Sequence, residues 1–155
     1  MTNPARSAIL LAGLLAVPCA AFAQTPPAPV GVEQAWARAT PGAGHEGALY
    51  LTLRAAAGDR LASVSTPVAD MATLHESRDV AGVMQMRDLP GLALPAGRSV
   101  AMRPGGVHVM LMQLAHPLLR GQRFPVTLTF DHAPPVTVTA TVARAGASVP
   151  DIGVP

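Results

Sequence analysis

The sequence predicts an all-β domain, an antiparallel sandwich or barrel. Three observations carry that expectation. Short runs with period-two alternation recur along the chain, as in ALYLTLR at 48–54 and VTVTATV at 136–142. Prolines 67, 90, 95, 104, 117 and 125 fall between or at the edges of these runs and exclude long helices across them. The spacing of short strands between Pro- and Gly-containing turns is that of a sandwich.

The elements follow in order. Residues 1–23 read as a signal peptide. Arg6 is a short positive start, 7–17 (SAILLAGLLAV) is an apolar run of signal length, and Ala21-Phe22-Ala23 is a small-residue cleavage site. The apolar run is too short for a membrane span, so the mature chain is expected to begin at Gln24 and to be soluble outside the inner membrane, with no spanning segment. A lipid anchor at Cys19 is the rival, weakened by Pro18 immediately before it. Residues 24–30 (QTPPAPV) form a Pro-rich linker. Strands are expected at 31–39, 48–54, 60–65, 72–77, 82–86, 107–114, 124–130 and 136–142. The piece 39–46 looks helical but is too rich in Gly and Pro to form a helix. The domain is placed at 31–142, and 143–155 lacks periodicity and is expected to be a flexible tail.

Composition removes several function classes. Cys19 is the only cysteine and lies within the signal. The mature chain therefore has no disulfide, no thiolate metal site and no cysteine nucleophile. All eleven basic residues are arginines; without Arg6, ten face nine acids, a net charge of +1. There is no basic stripe and few aromatic residues, so nucleic acid is not an expected partner. No G-x-S-x-G, no paired carboxylates and no phosphate loop are present. The chain is not expected to be an enzyme, and a monomer is expected.

Histidine and methionine remain. Six methionines follow the signal: Met71, Met84, Met86, Met102, Met110 and Met112. Met fills gaps in cores, and Met71, Met102 and Met112, in apolar surroundings, are assigned to the core. In VHVMLM at 107–112, His108 and Met110 stand two apart and share one strand face, two donors aimed the same way. His75 ends another apolar run. Soft thioethers favour Cu(I), and imidazole accepts Cu(I), Cu(II) or Zn(II). Mixed His and Met without Cys therefore favours copper, Cu(I) above Cu(II), and excludes a blue-copper thiolate centre. Bland readings hold for the rest: His132 in a solvated turn, His116 in a surface loop, Trp36 and Tyr50 as core anchors.

The residues also carry a family pattern. His75 is followed after ten residues by Met86, after twenty-one more by His108, and after one more by Met110. This H-x10-M-x21-H-x-M series, with AWARAT, GALYLTL, ATLHES, GVMQMR, LPAGRSV and RPGGVHVMLM around it, resembles the periplasmic copper chaperones of the PCu(A)C type over about residues 32–142. The resemblance implies a cupredoxin-like β-sandwich holding one copper at a fairly exposed site, with His75, Met86, His108 and Met110 as ligands. It implies delivery to the dinuclear copper centre of cytochrome c oxidase subunit II, often beside a Sco-type thiol protein. Some members carry a His- and Met-rich C-terminal extension that takes Cu(II); here no His or Met follows Val142. Met84 is expected to shield the site, and His45 to reach the metal only if the 42–48 loop folds over it; a water could complete a Cu(II) shell. Glu76, on the opposite strand face from His75, is not a ligand. A copper buffer without an acceptor and a metal-free scaffold are the competing readings.

Overall fold

The computed structural model describes residues 29–42 and 44–150. The expected signal peptide, most of the linker and the last five residues lie outside the described residues. Those described form ten strands: β1 (Gly31–Arg38), β2 (Gly47–Arg54), β3 (Asp59–Ser65), β4 (Ala69–Val80), β5 (Val83–Asp88), β6 (Leu92–Leu94), β7 (Ser99–Ala101), β8 (Val107–Leu114), β9 (Arg123–Phe130) and β10 (Val136–Ala143). No helix occurs among the described residues, and so none long and apolar enough to cross a membrane. The described residues of 39–46 are irregular, as the glycines and proline there require.

One hydrogen-bonded path runs β5-β4-β8-β2-β1-β10-β9-β3-β6, with β7 added on β2. Strands from both ends of that path feed a single core, which requires the sheet to curl over on itself. Leu49, Leu51 and Leu53 of β2 meet Leu61 of β3, Leu74 of β4, Val109 and Leu111 of β8, and Val126 and Leu128 of β9. All are buried. Burying one such side chain stabilises the fold by roughly 1.5–3 kcal/mol. Alternation chooses these positions: in β9, Phe124, Val126, Leu128 and Phe130 point inward, and Thr127 and Thr129 do not. Pro125 is tolerated in β9 because its pairing with β3 runs only from Phe130 to Thr127.

Three features depart from the sequence expectation. The pairing is not wholly antiparallel: β1 lies parallel to β10, with Trp36 opposite Thr141. Curling the sheet brings the first and last strands side by side, and their long connection lets them run in the same direction. Two three-residue strands, β6 and β7, are additional; each lies in a Pro/Gly-rich stretch where no alternation can register. Finally, β4 spans 69–80 rather than 72–77, because its pairing with β8 at the start and β5 at the end outweighs the weak strand propensity of Asp70, Arg78 and Asp79.

The segment after β10 is also ordered at its start. Ala143 and Ala147 are fully buried against Trp36 and Tyr50. Arg38 Nε donates to the Ala147 carbonyl at 2.8 Å. Trp36 and Tyr50 are therefore anchors of a second, smaller cluster on the outside of the sheet rather than of the main core. Their rings lie 4.5 Å apart.

Candidate metal centre

Three adjacent strands build the site: β5, β4 and β8. Register decides which side chains meet. His75 lies directly opposite His108, Thr73 opposite Met110, and Met71 opposite Met112. On the other side of β4, His75 lies opposite Asp88, Ser77 opposite Met86, and Asp79 opposite Met84. Directly opposite residues share a face, so His75, Met86, His108 and Met110 all occupy one face. It is the outer one, since Leu74, Val109 and Leu111 between them point into the core. His75 is central. His108 faces it across one ladder, and Met86 and Met110 each stand one diagonal step away, within reach of long side chains.

The two imidazoles are held differently. Only 5 % of His108 is exposed. Its ring lies 6.4 Å from that of Tyr50 and 6.1 Å from that of His75, stacked with the latter at 25°. His108 Nδ1 donates to the Gly106 carbonyl at 2.9 Å. A carbonyl can only accept, so Nδ1 carries the proton and Nε2 keeps the lone pair a metal needs. The PGG turn supplies that carbonyl: Gly105 takes φ 77°, a left-handed conformation suited to glycine. Gly106 O also accepts Ser77 N–H at 3.1 Å, tying the turn to β4.

His75 has partners at both nitrogens. Nδ1 is 3.2 Å from Asp88 Oδ1, and Nε2 is 2.7 Å from Thr73 Oγ1. An ionised Asp88 accepts, placing the proton on Nδ1 and making Nε2 the acceptor of the Thr73 hydroxyl. A carboxylate on the far nitrogen of a ligating histidine orients the ring and raises its basicity. A metal at Nε2 would displace the Thr73 hydroxyl.

The sulfurs sit further out. Met110 is half-buried, whereas Met86, on the edge strand β5, is 55 % exposed. Among the described residues no group of three or more His, Cys, Asp or Glu could hold a metal. The other donors on this face are thioethers, and neutral imidazole and thioether donors favour a soft ion.

The remaining candidates separate clearly. Glu76 projects from the other face, where Arg78 and Arg87 bind it at 2.9 and 2.7 Å. These hydrogen bonds hold its carboxyl below the usual range. His45 lies beside the far end of β8, where Gly44 N donates to Leu114 O. Six residues of strand, roughly 20 Å, separate that end from His108. Met84 is exposed near the hairpin tip. His116 lines a small separate cavity with Pro67 and Leu118. Met102 is in the core as expected, but Met71 and Met112 are not: Met71 is 55 % exposed and Met112 half-buried, both on the outer face. Both faces of β8 are apolar in sequence, so alternation alone does not say which one is inside. Gln113, at φ 54°, then breaks the alternation, and Leu114 turns back into the core.

Known proteins share this architecture. The family described as "Putative lipoprotein LpqE-like" matches residues 30–142. "Putative lipoprotein Lxx21020" of Leifsonia xyli subsp. xyli (strain CTCB07) is 35 % identical over 130 residues, 79 % of this chain and 78 % of that protein. The copper-bound PCuAC domain of PmoF2 superposes with a TM-score of 0.63 at 26 % identity, covering 77 % of this chain and 97 % of that one. DR1885 of Deinococcus radiodurans, 28 % identical, superposes without metal at TM-score 0.59 over 94 % of this chain and 98 % of that one. Its Cu(I) form superposes at 0.52 over 72 % and 78 %. The fold is thus the all-β, cupredoxin-like one of PCuAC domains. With its whole β-domain matched by the family model, the chain belongs to the LpqE-like family and is of the PCu(A)C type.

Proposed function

We propose that the protein binds one cuprous ion through His75, Met86, His108 and Met110 and passes it to an acceptor protein. The observation that carries this reading is the pair of imidazoles facing each other across β4 and β8, with thioethers on the same face to either side. The copper-bound PmoF2 domain and Cu(I)-DR1885 support it. The role is carriage rather than catalysis. Two imidazoles and two thioethers leave the ion's charge uncompensated, which suits exchange over permanent retention. The exposures of the donors order the exchange. Met86, on the edge strand, is the donor an incoming protein reaches first, and the buried His108 is the last to let go. Cu(II), which prefers nitrogen donors, would rest on the two histidines.

The acceptor implied by the resemblance is the dinuclear copper centre of cytochrome c oxidase subunit II, with a Sco-type thiol protein as a second partner. Mixing the Cu(I)-loaded protein with the metal-free copper domain of subunit II, then separating the two, tests this. Copper should move to the acceptor. Retention by the donor at every ratio would make the protein a copper buffer. Export is proposed from the N-terminal pattern and fits the lipoprotein names of the family and relative. The exported chain should begin at Gln24; a blocked terminus at Cys19 would make it an anchored lipoprotein instead.

A further inference from the structure

The outer face holds more sulfur than the four-donor site uses. Met112 follows Met110 by two residues on β8, and Met71 lies directly opposite Met112 on β4. The three thioethers therefore occupy adjoining positions on one face, beyond the histidines and ending at the Gln113 irregularity. The core is built on the other side of these strands, and Met71 is among the most exposed large apolar residues described. The donors that these three residues offer are all sulfur, and His45 lies in the loop beside this end of β8. Thr73 joins the two regions: its Oγ1 meets His75 Nε2 at 2.7 Å and lies 4.0 Å from Met112 Sδ.

We propose that Met71, Met112 and Met110 form a second, weaker cuprous site, an outlying thioether station that shares Met110 with the histidine site. Three neutral thioethers suit a soft monovalent ion such as Cu(I) or Ag(I) and discriminate against Zn(II) and Cu(II). No electron moves; the ion exchanges ligands only. An ion held by Met71 and Met112 is already bonded to Met110, so its passage inward needs only the histidine nitrogens and Met86 to replace two sulfurs. As it arrives at His75 Nε2, the Thr73 hydroxyl is released from that nitrogen, with the Met112 sulfur as its neighbouring acceptor. The inference rests on the soft-metal reading above, but Met71 and Met112 belong to this station alone.

Silver titration of the purified protein, followed through the methionine ε-methyl NMR signals, tests it. The first equivalent should shift Met86 and Met110, and the second Met71 and Met112. The double variant Met71→Leu/Met112→Leu should lose the second equivalent and hold the first within about threefold of the parent. His108→Ala should weaken the first and leave the Met71 and Met112 shifts in place. Signals of Met71 and Met112 that stay unmoved in excess silver would overturn the second site. Movement of Met71 and Met112 without movement of Met86 would uphold it and sink the four-donor assignment.

Discussion

Replacing His108 with alanine is expected to weaken Cu(I) binding by at least about a hundredfold, ~2.7 kcal/mol. Of the four proposed donors, this histidine is the one that the fold has prepared most fully. Its Nδ1 proton is committed to the Gly106 carbonyl, and its ring is held between Tyr50 and His75. The lone pair at Nε2 therefore needs no reorganisation before binding. Met110→Ala should cost less, about tenfold, because a flexible thioether brings less preorganisation. Competition against a chromophoric Cu(I) chelator reads both losses, with thermal unfolding to show that the variants remain folded. Parent-like binding by both would remove these residues from the site.

Asp59→Ala is expected to destabilise the fold by about 2–3 kcal/mol without touching copper. The Asp59 side chain is only 4 % exposed. It accepts hydrogen bonds from the backbone N–H of Arg60 and of Ala133, each at 2.7 Å, and of His132 at 3.2 Å. His132 Nδ1 adds a contact at 3.1 Å. One carboxylate thus ties the start of β3 to the turn between β9 and β10. Burial is the largest single influence and pushes its carboxyl upward. The hydrogen bonds from Ala133, Arg60 and His132 together outweigh it and hold the group below its ordinary range. A depressed folded-state value stabilises the fold above the unfolded pKa of about 3.9. That contribution disappears as pH falls through the lower, folded value. Denaturant melts of parent and variant should accordingly converge in acid and differ most near neutrality. A constant difference down to strongly acid pH would refute this account of Asp59.

The strands were legible wherever one face was apolar and the other was not. ALYLTLR and VTVTATV show their alternation in sequence, and β2 and β10 follow it closely. The pairing of His108 with Met110 was legible for the same reason, since positions two apart in a strand must share a face. Which face is inside was not legible for β8, where Val109 and Leu111 are as apolar as Met110 and Met112. That ambiguity places Met112 in the core, and Met71, on β4, is placed there by its apolar neighbours in sequence. The meeting of His75 with His108 depends on a register between strands 33 residues apart in sequence, which no local pattern records; only the family resemblance implied it. The seating of 143–147 on Trp36 and Tyr50 left no trace because it is made by alanines, whose small side chains carry little periodic signal. The parallel neighbours β1 and β10 are likewise a product of the whole curled sheet.

The chemistry of the donor set is the central claim, and X-ray absorption of the Cu(I)-loaded protein at one equivalent tests it most directly. The account predicts a mixed shell in which sulfur and imidazole nitrogen both scatter, with the sulfur contribution falling in Met86→Leu and Met110→Leu. A shell of nitrogen and oxygen alone, or a sulfur contribution unchanged in both variants, would contradict it.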